Sequence, residues 1–429
     1  MNSKKLIGEG YSEMGIFWLP NSPNIKIVGM LSIGSRDKVT LRLYDDFPGF
    51  DPSHMRLAKR GAKFDTIHGH MRSGLMVGLF KCIHLGGGTI YANYMLSGKW
   101  LTWHDKLEDY KFNRANVVYY DVREWLRGTL EPDFAEHDAG YINVKRREVP
   151  SFKFHDCEMK LNYYWNFSHK ESELTSENFF SFTFDDGKSA DSVLEYTDVF
   201  GNFLLLCVNA PIAVKFLCVG ISDSNGYIQL VYPKRETGKQ RESSFINVIS
   251  YWAISTDFQN ILHNWFQLGL DREIRDAIAL YIESHTSKTV AEITFLTLFQ
   301  ACEGIAKRVE PTIYKEEEAK RLLIQLIKCT AAPLLSFLDD AAIEKLAYKM
   351  SKTRNYWIHN SGRIAKADTF DGFDLVAING LLSYTLRIYL LTKAEVAHDI
   401  VKRYLSPYQG IGSHLLEELK IMCSDNGAT

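Results

Sequence analysis

The chain has 429 residues, 46% of them hydrophobic, and its 50 basic and 52 acidic side chains give a formal net charge of −2. This length exceeds that of one compact domain and predicts two domains or three. The balanced charge excludes a chain that is basic throughout, so any binding of nucleic acid requires a local basic patch.

The cysteines and the apolar runs indicate a cytoplasmic protein. The seven cysteines are scattered and include no Cys-x-x-Cys pair, which favours reduced thiols over disulfides or a zinc knuckle. The N-terminus has no apolar signal core, and no run approaches 18 uncharged apolar residues, so we expect no membrane span. The most apolar stretch, 203–221, contains Asn209, Pro211 and Lys215, and we predict two buried strands there.

Short β-like segments fill the first half of the chain. Apolar and polar residues alternate strictly in 39–44 and 180–184, which is the period of a strand with one buried face. Further strands are predicted at 25–33, 75–85, 89–96, 116–122 and 228–232, and turns at 21–23, 86–88, 185–187 and 224–226. The pattern predicts an all-β N-terminal domain over residues 1–235, sandwich-like or built on a strongly curved sheet. It leaves open whether this region forms one domain or two.

A charged stretch marks the change to a helical second half, and we place a linker at 236–250. After it, apolar residues recur at spacings of three and four, and Pro311 and Pro333 fall between the segments. Helices are predicted at 258–268, 274–282, 293–309, 319–329, 341–358 and 373–391. The sequence therefore predicts an α+β protein whose second domain, residues 251–429, is an α-helical bundle of five to seven helices.

Two weaker motifs do not lead us to expect a bound cofactor. Three glycines, 86–88, lack a following Gly-Lys-Ser/Thr and are typical of a hairpin turn. His68 and His70, with Cys82 and His84 nearby, have a spacing that zinc accepts, but the spacing fixes no third ligand. We therefore expect an ordinary exposed strand pair, and neither a metal nor a cofactor.

The predicted helix 341–358 carries the strongest functional signal. At 100° per residue a stripe of basic and aromatic residues lies opposite the apolar face. The stripe consists of Lys345, Lys349, Lys352 and Tyr356, followed by His359. Lysines and a ring at helical spacing are typical of an RNA-binding surface, although a solvated lysine face has the same pattern.

Three residues at the end of this helix have the chemistry of RNA cleavage. His359 lies in the last turn, where the helix dipole favours the protonated imidazole, and such a group can serve as general base and acid towards a ribose 2′-hydroxyl and a 5′-oxygen. Arg354 can neutralise a phosphate, and Asn355 can orient the imidazole or the phosphate. His359 could equally cap the helix.

The run Arg354-Asn355-Tyr356-Trp357-Ile358-His359 resembles the Arg-polar-x(3–5)-His motif of the HEPN superfamily, helical bundles many of which cleave RNA. Residues 295–303 resemble the HEPN domains of ApeA-type antiphage proteins, and residues 15–31 are similar to their N-terminal domain. Ser361 stands where HEPN partners of nucleotidyltransferases often carry a tyrosine, which argues against that subclass.

The resemblance implies an antiphage endoribonuclease that works without metal. It implies Arg354, Asn355 and His359 as catalytic residues, RNA as substrate with tRNA as a reasonable guess, and a homodimer formed through the HEPN domain. Its N-terminal domain would sense a phage-derived trigger and keep the nuclease inactive without it.

One geometric problem and one alternative accompany this hypothesis. Five residues span about 140° of a regular helix, so Arg354 should point away from His359 unless the helix distorts or two chains complete the site. Arg354 could instead form a buried ion pair with Glu303. The alternative function is a non-catalytic binding protein, whose β domain recognises a ligand and whose helical domain dimerises or docks a partner.

Overall fold

The structure, a computed structural model, divides the chain into two compact units, one β-rich and one helical, which confirms the predicted α+β class. The first unit comprises Met1–Asp121, Glu148–Gly201 and Ala213–Glu236, and the second comprises Val122–Arg147, Asn202–Ile212 and Thr237–Thr429. The described residues are 7–45, 47, 63–120, 122, 125–126, 151–168, 173–221, 226–234, 248–286, 289–309, 317–359, 368–405 and 411–424. The linker predicted at 236–250 lies outside them up to residue 247.

The strands of the first unit form one antiparallel sheet in the described part of the chain. They are β1 (Ser12–Trp18), β2 (Ile27–Ile33), β3 (Val39–Leu43), β4 (Lys63–Met71), β5 (Met76–Gly86), β6 (Thr89–Gly98), β7 (Phe112–Tyr119), β8 (Ser151–Phe154), β9 (Cys157–Ser168), β10 (Glu173–Lys188), β11 (Val214–Ile221) and β12 (Tyr227–Val231). Their order is β3-β2-β1-β4-β5-β6-β12-β11-β7-β10-β9-β8.

The first six strands close into a barrel, because β3 pairs with β6 as well as with β2. The first part of β6 lies against β3, and its later residues, Met95 to Ser97, pair with β12. One strand is therefore shared between the barrel and its open extension, so the curved sheet is not two separate layers.

The barrel interior is packed tightly around Phe17, which is fully buried. Gly69 lies opposite Phe17 in the register of β1 and β4. A Cβ atom on Gly69 would lie 2.5 Å from the Phe17 ring, closer than real contacts allow. The barrel therefore needs a glycine at this position.

The prediction of two strands in 203–221 is wrong for its first part. Phe203 to Val208 belong to helix α1 (Ala190–Val208), and only Val214–Ile221 is a strand. Ser189 begins the helix by accepting a hydrogen bond from the backbone N–H of Ser192 through its Oγ. A helix buried on all sides is as apolar as a buried strand, so the Phe203–Val208 composition alone misled the prediction.

The predicted turns have different outcomes. The glycine hairpin at 86–88 is confirmed, since it joins β5 to β6 with positive φ at all three glycines. The turn at 21–23 between β1 and β2 is also confirmed. The turn at 185–187 is wrong: these residues continue β10, where the pairing with β7 shifts register between Thr183 and Lys188. Most of the turn predicted at 224–226 lies outside the described residues.

The second unit contains the predicted helices and further ones in its described part. They are α2 (Tyr251–Ile254), α3 (Phe258–Leu270), α4 (Arg272–Thr286), α5 (Ala291–Val309), α6 (Glu317–Thr330), α7 (Asp340–His359), α8 (Gly372–Lys393), α9 (His398–Tyr404) and α10 (Ser413–Ser424). The described helices thus outnumber the five to seven predicted. Pro333 lies in a short 3-10 turn between α6 and α7, as expected, and Pro311 lies outside the described residues.

The core of this unit is α8. It is long and apolar enough to cross a membrane by length and composition, but 72% of its most apolar window is buried inside the protein, as in a core helix. Its Arg387 is 2% exposed and donates hydrogen bonds from Nε to the Leu206 carbonyl, at 2.7 Å, and from Nη2 to the Cys207 carbonyl, at 3.2 Å. A buried cation thus satisfies carbonyls at the C-terminal end of α1.

All seven cysteines are free thiols. Five are buried, Cys423 is partly exposed and Cys329 is exposed. Burial raises the pKa of the buried Cys207 and Cys218 thiols to about 12. These two thiols therefore stay protonated and unreactive.

Candidate functional site

Helix α7 is anchored along its buried face. Near its start, the Asp339 carboxylate accepts a hydrogen bond from the backbone N–H of Ala342, at 2.7 Å. Near its end, the buried Thr353 hydroxyl donates to the Lys349 carbonyl, at 2.8 Å, and accepts from the backbone N–H of Phe370, at 2.9 Å. These contacts fix the last turns of α7 relative to the start of the segment that leads into α8.

Arg354 lies between two partners. Its Nη2 is 3.9 Å from Glu303 Oε2 on α5, so the ion pair considered from the sequence is present but loose. Its Nη1 donates a hydrogen bond to Asn355 Oδ1, at 3.0 Å. Its Nε is buried and has no hydrogen-bond partner in the described part of the chain. The guanidinium therefore keeps unused donor capacity.

His359 is the last residue of α7, and the helix runs without a break from Asp340 to this position. The angular separation between Arg354 and His359 that the sequence indicated therefore persists. Asn355 lies one turn before His359 on the same side of the helix, and its amide accepts the Arg354 hydrogen bond. The structure thus connects Arg354 to the histidine side of α7 through Asn355.

The four residues predicted to bind RNA line the border of the buried face, and each has a contact of its own. Lys345 donates to the Met422 carbonyl on α10, at 3.1 Å. Lys349 lies over the Phe370 ring at 4.5 Å, and Lys352 lies over the Tyr348 ring at 5.3 Å. The Tyr356 ring meets that of Trp357 edge to face, with centroids 5.3 Å apart. The residues spread along about 16 Å of helix and do not meet at one point.

Two residues near this stripe escaped the sequence analysis. Tyr348 is 51% exposed, and Lys320 of α6 places its ammonium group 5.5 Å from the centre of the Tyr348 ring. Tyr348, Lys352, Asn355 and His359 have the helical spacing i, i+4, i+7 and i+11, so the sequence could have revealed Tyr348. Lys320 lies on another helix, and no sequence spacing connects it to α7.

The two histidines of β4 lie in different surroundings. His68 is buried, which corrects the expected exposed strand pair, and its ring lies 4.6 Å from that of Trp103. Its Nε2 lies 3.1 Å from the His104 carbonyl oxygen, and burial lowers the pKa of its imidazole. His70 is exposed. Within the described ranges, no group of three or more His, Cys, Asp or Glu side chains could hold a metal.

The fold and the α7 residues define a two-part protein, with a β-barrel unit and a helical unit that carries the sequence Arg-Asn-x3-His at the end of α7. The model of the ApeA N-terminal domain 1 family matches residues 12–265, more than half of the chain, from the first residue of β1 into α3. The chain belongs to this ApeA family, which supports a role in antiphage defence. No curated protein and no solved structure matches the chain.

Proposed function

We propose that the protein is a metal-independent endoribonuclease of antiphage defence, with Arg354, Asn355 and His359 as its catalytic residues. In this proposal it acts in the cytoplasm as a homodimer formed through the helical unit. The β-barrel unit keeps the nuclease inactive until a phage-derived trigger binds. Family membership supports the defence role, and the end of α7 supports the chemistry.

The observation that carries the proposal is the hydrogen bond from Arg354 Nη1 to Asn355 Oδ1. Because Asn355 Oδ1 is engaged, its Nδ2 group can donate to a phosphate oxygen or to the imidazole of His359. The bond also holds the permanent cation of Arg354 near the C-terminal end of α7, where His359 lies. Arg354 and His359 are nevertheless attached on different sides of the helix. A cation, an amide donor and an imidazole can together supply the charge stabilisation and the proton transfer for cleavage of a phosphodiester.

The reaction needs no metal. The neutral His359 imidazole takes the proton of a ribose 2′-hydroxyl, and the 2′-oxygen attacks the adjacent phosphorus. The bond from phosphorus to the 5′-oxygen breaks, and the imidazolium form of His359 returns the proton it took to the leaving 5′-oxygen. The products are a 2′,3′-cyclic phosphate and a 5′-hydroxyl end. Arg354 and Asn355 stabilise the added negative charge on the phosphate oxygens.

Glu303 acts in this proposal as a positioning residue for Arg354. At 3.9 Å the carboxylate attracts the guanidinium without closing a short bidentate pair. The arginine therefore stays near the helix end, and the loose pair with Glu303 leaves Nη donors for a phosphate.

The test compares the wild-type protein with His359→Ala, each incubated in EDTA with total RNA and with an extract of phage-infected cells that supplies the trigger; the extract alone gives the background. We expect the wild type to produce 2′,3′-cyclic phosphate ends and the variant to lose cleavage. Lys402→Ala, an exposed lysine on α9, serves as the matched control and should cleave like wild type. Cleavage at the wild-type rate by folded His359→Ala would contradict the proposal.

A cellular experiment includes the trigger. Cells that express the wild type or His359→Ala are infected with phage, and the 5′ ends of their RNA are sequenced. New 5′-hydroxyl ends that depend on His359 are expected, and we expect tRNA among the cleaved molecules. Identical end profiles in the two strains would count against a nuclease.

The alternative is a binding protein without catalysis. The Arg354–Glu303 ion pair favours this alternative, because a pair between two helices stabilises the helical unit without any catalytic role. In that case, Arg354→Ala would lower stability, and RNA ends would not change on infection. The same sequencing experiment therefore separates the two functions.

A further inference from the structure

Two lysines from different helices converge on one exposed ring of α7, the helix that ends in His359. Lys320 Nζ of α6 lies 5.5 Å from the centroid of the Tyr348 ring, and Lys352 Nζ of α7 lies 5.3 Å from it. Tyr348 is 51% exposed, and both lysines are partly exposed. Contact with a ring face orients an ammonium group but does not neutralise its charge.

The two lysines of this cluster have no ion-pair partner in the described part of the chain. Within the described residues, neither Lys320 nor Lys352 has a carboxylate at ion-pair distance, whereas Lys328 on the same helix α6 pairs with Asp340, at 2.8 Å. Two neighbouring cations repel each other, and a bound anion would relieve this repulsion. The arrangement therefore fits a ligand that carries repeated negative charges.

The cluster lies on the same side of α7 as His359. Tyr348 and Lys352 lie eleven and seven residues before the histidine, which places all three on one side of α7, and Tyr348 about 16 Å from His359 along the helix. A single-stranded nucleic acid presents one phosphate per nucleotide, so a strand that follows this side of α7 would meet the lysines a few nucleotides from the histidine.

We propose that Tyr348, Lys320 and Lys352 form a binding site for the phosphate backbone of single-stranded RNA, which holds the substrate a few nucleotides from the bond to be cleaved. This inference rests on the proposed ribonuclease function, since it assigns the same enzyme a substrate-holding site. It differs from the stripe predicted from the sequence, because it uses Lys320 of α6 and Tyr348, and leaves out Lys345, Lys349 and Tyr356.

The test measures binding separately from cleavage. Full-length His359→Ala protein is titrated with a fluorescent, unstructured single-stranded RNA over a series of salt concentrations. In the same background, the Lys320→Ala/Lys352→Ala double variant should bind about tenfold more weakly. The negative slope of log K against log salt should become shallower by about 1.4, since each lost phosphate contact accounts for about 0.7.

Two further variants control for the ring and for an unrelated lysine. Tyr348→Phe keeps the ring that gathers the ammonium groups and should bind within twofold of the parent, whereas Tyr348→Ala should bind several-fold more weakly. Lys393→Ala is the matched control, because Lys393 also lies over a tyrosine ring, that of Tyr389 at 5.6 Å, on α8. It should leave affinity and salt slope unchanged.

The outcomes separate this inference from the proposed function. An unchanged salt slope in the double variant overturns the inference, and so does a double variant that loses affinity for an acidic peptide but not for RNA. If the double variant does not fold, Lys320→Gln and Lys352→Gln are measured singly against the same criteria. Wild-type protein that never cleaves RNA, with a binding site that behaves as described, would remove the proposed function and leave the RNA site.

Discussion

At the scale of single residues, the end of α7 shows what local sequence can predict. The helix and its apolar face follow from spacing, because helix geometry places residues at known angles. The spacing also predicted that Arg354 starts away from His359. It could not predict that the long arginine side chain reaches Asn355 and Glu303 together, since that depends on where α5 packs.

The contacts of Arg354 predict that Arg354→Lys lowers RNA cleavage at least tenfold while stability changes by less than about 1 kcal/mol. A lysine keeps the charge near Glu303 but lacks the planar fork that binds Asn355 and a phosphate together. Cleavage rates and urea unfolding of the two proteins check this. Equal cleavage by Arg354→Lys would show that a point charge is sufficient.

His285 makes the stability of the helical unit depend on pH. Burial, and secondarily the nearby Arg387, lowers the pKa of His285 from 6.5 to about 4, and its Nε2 lies 3.1 Å from Ser383 Oγ with the Tyr281 ring alongside. Between these pH values the unfolded chain binds a proton that the folded protein does not. The free energy of unfolding therefore falls as pH drops from about 6.5 to 4, by up to ~3 kcal/mol from this group.

The corresponding measurement is urea unfolding at several pH values in this range. His285→Gln should flatten the pH dependence, because glutamine does not titrate. His398→Gln, at an exposed position on α9, should keep the wild-type curve. A His285→Gln protein with an unchanged curve would show that other groups cause the pH dependence.

At the scale of elements, most helices and many strands were predictable because their patterns are local. Helix α1 was missed, although Phe200, Phe203, Leu204 and Cys207 recur at spacings of three and four. Its apolar second half has no polar face to mark the period, because it is buried. The polar partner of its last carbonyls, Arg387, lies 180 residues further along the chain, beyond the reach of any local pattern.

This contact predicts that Arg387→Met destabilises the protein by about 2 kcal/mol. The Leu206 and Cys207 carbonyls would lose their donors inside the protein, and this cost exceeds the relief of removing a buried cation that has two good acceptors. Urea unfolding at neutral pH gives the value. Lys393→Met, at an exposed position on the same helix, should change stability by less than about 0.5 kcal/mol.

At the scale of the whole molecule, the α+β class was predictable from the change of period near residue 236, but the barrel was not. Its closure depends on the pairing of β3 with β6, about fifty residues apart in sequence, and strand alternation says nothing about which strands pair. For the same reason, the pattern could not decide whether the β region forms one domain or two.

The two-part organisation predicts that toxicity depends on infection. Expression of the wild type without phage should leave growth and RNA ends normal, whereas infection should arrest growth in cells with the wild type but not with His359→Ala. Growth curves and RNA end sequencing measure both effects. Equal arrest with and without phage would contradict control by a trigger.

The burial of most cysteines allows one native thiol to be labelled selectively. Cys329 is the one of the seven cysteines that is exposed, and it lies on α6 nine residues after Lys320, about 14 Å along the helix. Since five of the others are buried and Cys423 is only partly exposed, a maleimide dye should attach first to Cys329 without any engineered substitution. The native chain thus carries its own attachment point for a fluorophore, from which energy transfer to a labelled RNA could report where the strand lies.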